Sequence, residues 1–240
     1  MEAMIFAAGL GTRLRPLTND RPKALVEIKG KTLLEWNILK MINFGIKKIV
    51  INVHHFPDII INFIKEKNFD CDIIISDERD LLLDTGGGLL NAKKYFSLKD
   101  NILIHNVDVL SDVNFFDVEN SHNNNNCLAT LVVKQRDTSR YLIFNENNYL
   151  CGWQNIKTQE KKITRENIQQ NNYAFSCIQV VNPEIFENNH LGKVFSMIDL
   201  YLDKSKTSII KPFFQTSNNW IDVGKLEAIT RLEKNDEIFY

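Results

Sequence analysis

Phe6-Ala7-Ala8-Gly9-Leu10-Gly11-Thr12-Arg13-Leu14-Arg15-Pro16-Leu17-Thr18, closed by Arg21-Pro22-Lys23, is the stretch around which this 240-residue chain is organised. The apolar run Met4 to Ala8 leading into it has the length of a strand. Gly9 and Gly11 carry no Cβ, so the backbone can turn sharply there and come close to a ligand. Amides in such a loop can form a concavity for anions. Arg13, Arg15, Arg21 and Lys23 bring four positive charges within eleven residues. Close approach and charge together point to a di- or triphosphate. A lone Gly-x-Gly would read as an ordinary turn with a solvated basic rim; the long string around this one selects a ligand loop.

Two better-known phosphate loops are excluded. The dinucleotide fingerprint needs a third glycine three positions after the second. Leu14 stands there, and Pro16 would break the helix that should follow. This disfavours a nicotinamide-dependent oxidoreductase. The Walker loop needs Gly-x-x-x-x-Gly-Lys-Ser/Thr, a string this chain lacks.

Outward from the loop, strands alternate with helices. Thr32 can cap a helix from Leu33, and Gly45 stops it. Lys48 to Val53 is rich in β-branched residues and reads as a strand. Pro57 opens a helix to about Lys67, and Asp72 to Ser76 is a third strand. A second glycine loop, Asp84-Thr85-Gly86-Gly87-Gly88, precedes a short helix to Lys94, and Asn101 to Asn106 is a fourth strand. The pattern predicts an α/β fold with a Rossmann-like, mostly parallel sheet covered on both faces. After Asp108 the strands 128–133, 141–144, 149–153 and 174–181 lack long helices between them, which predicts a small antiparallel addition suited to a lid or substrate-binding half. Helices are expected near 183–187 and 195–203, a strand over 208–213, and a last helix over 225–234. The Asn-rich run 120–126 reads as a surface loop.

A 44% hydrophobic chain of this length fills one sizeable core, expected as a single domain over 1–240. Net charge −1 argues against a general nucleic-acid binder. Cys71, Cys127, Cys151 and Cys177 form no Cys-x-x-Cys pair and read as reduced core thiols of a cytoplasmic protein. No signal peptide or membrane span is expected.

Asp108 sits just past the fourth strand, where ligands bind in open α/β sheets. Asp222 ends a short apolar segment late in the chain. Two such carboxylates suit magnesium, which takes the rest of its oxygens from phosphates and water. Either aspartate alone would read as a cap or turn residue. His54 and His55 read as surface residues; Asp77 and Glu78 either line the site or are merely solvated.

These strings resemble the signature of the sugar-1-phosphate nucleotidyltransferases. Among them the chain is most similar to the N-acetylmuramate 1-phosphate uridylyltransferases, through Thr85-Gly86-Gly87-Gly88, Asn106-Val107-Asp108-Val109, Phe175-Ser176 and Trp220-Ile221-Asp222-Val223-Gly224. The resemblance covers nearly the whole chain. It implies that Ala8, Gly9, Leu10, Gly11, Thr12, Arg13 and Lys23 wrap a nucleoside triphosphate, with Arg13 and Lys23 on phosphate. Thr85 to Gly88 would lie against the nucleoside, and Asp108 and Asp222 would hold Mg²⁺. It further implies a nucleotide-binding half over 1–110 and a sugar-phosphate half over 111–240, with Trp153, Phe175 and Ser176 as candidate sugar wall. No C-terminal β-helix domain is expected. The partners are a nucleoside triphosphate and a sugar 1-phosphate, not nucleic acid or membrane, with the protein a monomer or homodimer in nucleotide-sugar biosynthesis for the cell wall. UTP with N-acetylmuramate 1-phosphate is the expected pair; a mannose- or heptose-1-phosphate guanylyltransferase is the alternative. A catalytically dead nucleotide sensor would have lost Lys23 or a metal aspartate, and neither is lost. Val107 and Cys177 stand where relatives commonly carry glycine, and Lys225 where many carry threonine.

Overall fold

The computed structural model describes residues 1–166, 169–216 and 219–234. β1 (Glu2–Phe6) is buried along its whole length. The glycine-arginine loop after it contains two short 3-10 turns, Thr12–Leu14 and Lys23–Leu25. A small hairpin, β2 (Glu27–Ile28) with β3 (Lys31–Thr32), leads into α1 (Leu33–Asn43). The Thr32 hydroxyl accepts from the Glu35 amide and caps α1. Then come β4 (Lys48–Val53), α2 (Pro57–Lys67), β5 (Asp72–Asp77) and α3 (Asp84–Ala92). β6 (Ile102–Asn106), β7 (Val109–Ser111) and α4 (Phe115–Asn125) close the first half.

The second half adds β8 (Ala129–Lys134), β9 (Arg140–Phe144), β10 (Leu150–Asn155), β11 (Glu160–Ile163) and the long β12 (Asn171–Val181). α5 (Met197–Lys204), β13 (Ile210–Phe214), β14 (Trp220–Asp222) and α6 (Leu226–Lys234) follow. The central strands run β5-β4-β1-β6, all parallel. β12 joins β6 antiparallel over 178–181, with β8 on its other side there, and its first residues, 171–173, pair with β9, which carries β10 and β11. One ten-stranded sheet therefore runs through both halves.

Side chains alternate across this sheet with period two. In β1, Ala3 and Ile5 enter the core under α1 and α4, with Leu34, Ile38, Met41, Phe115 and Val118. Met4 and Phe6 enter the opposite core under α3 and α5, with Leu89, Leu200 and Tyr201. Helices cover both faces, as the alternation predicts. Among the described residues no helix is long and apolar enough to cross a membrane.

Two segments differ from expectation. The Asn-rich run is not a loop: residues 120–125 complete α4, and Asn126 ends it at φ 43°. The Asn114 side chain caps the helix by accepting from the Phe116 and Asp117 amides. Phe115, Val118 and His122 turn inward, and their burial overrides the weak helix propensity of the asparagines.

The run Asp84–Gly88 is likewise the first turns of α3 rather than a loop. Gly86, Gly87 and Gly88 are buried because α3 lies hard against the segment before α5. A Cβ on Gly86 would meet the Phe195 ring, one on Gly87 the Lys193 carbonyl, and one on Gly88 the Glu78 carboxylate. Gly87→Ala is accordingly expected to cost about 1–3 kcal/mol through overpacking. In a domain this size each kcal/mol lowers Tm by about 2–4 °C. A thermal melt matching wild type would show that the Lys193 backbone yields freely.

Candidate active site

The site lies beyond the carboxyl ends of β1, β4 and β6, the usual ligand position in an open α/β sheet. Gly11 holds φ 66°, a left-handed conformation that costs glycine little. Its carbonyl accepts from the Thr18 hydroxyl at 2.9 Å, which folds the loop back on itself. A Cβ at Gly11 would press on the Cβ of Lys23, so loop and lysine are packed together. Ala8 is buried, whereas Gly9, Leu10, Thr12 and Arg13 are exposed.

Lys23 reaches from the second 3-10 turn to Asp108, Nζ to Oδ2 at 2.5 Å. Asp108 follows β6 directly. β7 then pairs with β14 and sets Asp222 opposite Val109. The Val223 amide donates to the Asp108 carbonyl at 2.8 Å and fastens the two aspartate segments together. The Arg13 guanidinium packs over Gly224, where a Cβ would meet it and the Asp222 carboxylate. Lys23, Asp108, Asp222 and Arg13, drawn from opposite ends of the chain, thus converge.

The electrostatics reflect that crowding. Loss of water, then the charge of Asp108, raises the Asp222 carboxyl above its ordinary range; Lys23, Arg13 and Arg136 pull the other way. Two carboxylates repelling each other at the end of a cleft suit a cation. Among the described residues no group of three or more His, Cys, Asp or Glu could hold a metal alone. A pair of aspartates fits Mg²⁺, which usually takes one or two carboxylates and completes its shell with phosphates and water. Cys177 lies in reach of both aspartates' charges, but burial foremost pushes its thiol up to about 12, so it carries no thiolate nucleophile. It holds φ 58°, a conformation in which glycine would be easier.

A cavity of about 330 Å³ adjoins the loop, walled by Phe6, Ala8, Gly9, Asn52, Leu82, Asp84, Thr85 and Val194. Asn52 is locked: its Oδ1 accepts from the Ala7 amide at 2.8 Å and its Nδ2 donates to Glu78 at 3.0 Å. Asp84 and Thr85 face this cavity, but the three glycines do not line it. The Gly86 and Gly87 amides both donate to the Phe195 carbonyl, at 2.9 and 3.1 Å. Glu78 is buried, with its carboxyl raised chiefly by loss of water. Asp77 pairs with Arg79. The His54 Nδ1 lies 2.7 Å from the Glu78 carbonyl, and His55 stacks near Phe56.

Of the proposed sugar wall, Phe175 packs, like Trp153, on the core under α3 and α5, and Ser176 is fully buried on β12. The Trp220 Nε1 donates to the Ser176 carbonyl at 2.9 Å. Trp153 stands apart on β10, separated from β12 by β9 and covered by Lys162. Asp84 opens the second glycine string, whereas Asn52 and Arg136 have no motif to announce them; Asn52 stands only at the end of a predicted strand.

The chain matches the family model described as nucleotidyl transferase over residues 2–237. It is 47% identical over 93 residues to the N-acetylmuramate alpha-1-phosphate uridylyltransferase of Caulobacter vibrioides, 38% of each chain. It is 27% identical over 237 residues to a probable mannose-1-phosphate guanylyltransferase of Oryza sativa subsp. japonica, 94% of this chain and 62% of that one. The match thus spans less than two thirds of either relative. The crystal structure of HddC from Yersinia pseudotuberculosis complexed with GMP-PN superposes with TM-score 0.77 at 21% identity, covering 97% of this chain and 98% of that one. That likeness gives the fold, a nucleotide-diphospho-sugar transferase fold. With the glycine-arginine loop and both aspartates inside the matched stretch, the chain belongs to the nucleotidyl transferase family.

Proposed function

We propose that this protein transfers a nucleoside monophosphate from a nucleoside triphosphate to a sugar 1-phosphate, releasing pyrophosphate. The observation that carries the reading is the convergence of Lys23, Arg13, Asp108 and Asp222 beside the cavity at Gly9 and Thr85. A sugar phosphate oxygen bonds to the α-phosphorus as the bond from that phosphorus to the pyrophosphate oxygen breaks. The attacking oxygen is already anionic, so no protein nucleophile or strong base is needed. The residues' work is in-line positioning and charge neutralisation. Arg13 and Lys23 hold the triphosphate and meet the charge that grows on pyrophosphate. Asp108 and Asp222 would hold Mg²⁺, which when bound screens phosphate oxygens and sharpens the α-phosphorus as an electrophile. Residues 1–110 take the nucleotide and 111–240 the sugar phosphate.

Within that reaction we assign UTP and N-acetylmuramate 1-phosphate. The 47% identity to the Caulobacter vibrioides relative supports the pair. Asp84 offers the base an acceptor. It faces the cavity at φ 59°, with Oδ1 accepting from the Thr85 amide at 2.6 Å. A carboxylate there can accept the N3–H of uracil or the N1–H of guanine, and equally the exocyclic amine of cytosine or adenine, so it orients a base without choosing it. The plant relative keeps the guanylyl reaction with mannose 1-phosphate as the second reading. Equimolar UTP, GTP, CTP and ATP offered with a panel of sugar 1-phosphates should give chiefly UDP-sugar by mass. Predominant GDP-sugar would move the assignment to the guanylyl reaction.

A further inference from the structure

One cation near Asp222 belongs to none of the strings above. Arg136 follows β8 and is half-buried. Its guanidinium lies over the Trp220 ring, 4.3 Å from the centroid. Its Nη2 donates to the Phe175 carbonyl at 3.1 Å, a backbone oxygen rather than a carboxylate. Its Nε–H is buried without a hydrogen-bond partner among the described residues. Loss of water disfavours its charge, while Cys177 and Asp222 favour it. Trp220, fixed through its own bond to Ser176, stands two residues before Asp222 in β14.

A purely structural strap would not need this side chain. A neutral aromatic or amide could bridge Trp220 and the Phe175 carbonyl without holding a desolvated positive charge. A flat guanidinium, stacked on an aromatic face and keeping donors unspent, is suited to a phosphate. The reaction brings two anionic phosphates together. Arg13 and Lys23 come from the N-terminal loop and serve the triphosphate. The acceptor phosphate needs a cation of its own.

We infer that Arg136 binds the phosphate of the sugar 1-phosphate and holds its oxygen for attack on the α-phosphorus. This rests on the nucleotidyl-transfer reading. Arg136 takes no proton and forms no bond; the electron pair of the broken phosphorus–oxygen bond leaves with pyrophosphate.

The test compares wild type with Arg136→Met and Arg136→Lys, varying each substrate in turn. Arg136→Met should raise KM for the sugar 1-phosphate about 10-fold or more. KM for the nucleotide and Tm should stay within about twofold and a few degrees of wild type. Arg136→Lys, keeping charge but losing the fork, should fall between, and it serves as the folded variant should Arg136→Met not fold. Unchanged KM for the sugar phosphate in a folded variant of an active enzyme overturns the assignment alone. So does an equal rise in both KM values, which marks a structural strap. Wild-type protein that turns over no sugar 1-phosphate overturns the transfer reaction and this inference with it.

Discussion

Lys23→Ala is expected to lower turnover at least about 10²-fold while the protein stays folded, the loss typical of removing one preorganised donor from developing charge. The fold should survive for local reasons. Alanine keeps the Cβ that packs beside Gly11, and Pro22 still sets the entry to the 3-10 turn. What disappears is the Nζ at 2.5 Å from Asp108 and with it the cation closest to the aspartate pair. Steady-state kinetics and a thermal melt on the same preparation separate the outcomes. A folded variant with wild-type turnover would refute the role given to Lys23.

Asp108→Asn and Asp222→Asn are each expected to cost about 10²-fold or more in kcat/KM at limiting magnesium. Both act on one cation, so the double variant should fall well short of the product of the two losses. Stability should not follow activity. The Asp222 carboxyl is held above its ordinary range, so its charge is unfavourable in the fold, and Asn removes that charge. The half-saturating magnesium concentration, measured by titrating the metal into chelator-treated protein, should rise in both variants. If both turn over normally at limiting magnesium, the metal site lies elsewhere.

Much of this architecture was legible in the chain. The β-branched run at 48–53, the Thr32 cap and Pro57 are local signals, and local physics placed those elements where they stand. The glycine-arginine string was legible for the same reason, since turning and charge are written in adjacent residues. What stayed hidden depends on contacts across the chain. Three consecutive glycines look like a loop until Phe195 and Lys193 are set against them, and then they are the residues that let a helix come that close. The helix through the asparagines rests on Phe115, Val118 and His122 finding a core. Arg136 gave no sign at all: only Trp220, brought back from far along the chain, makes it a held cation.

The short ladder between β7 and β14 also bears on the order in which this protein becomes competent. The parallel core already needs long closures, since β1 pairs with β6 about a hundred residues on. The aspartate pair needs one closure more: the segment at Trp220–Asp222 must return to Val109–Ser111. A chain caught before that return would carry a finished triphosphate loop and no finished centre. Three paired residues a side make a brief zipper, so in the mature protein amide exchange at Val109–Ser111 should outrun exchange in β1. Activity would then be gated by the fraying of a seam rather than by the stability of the whole.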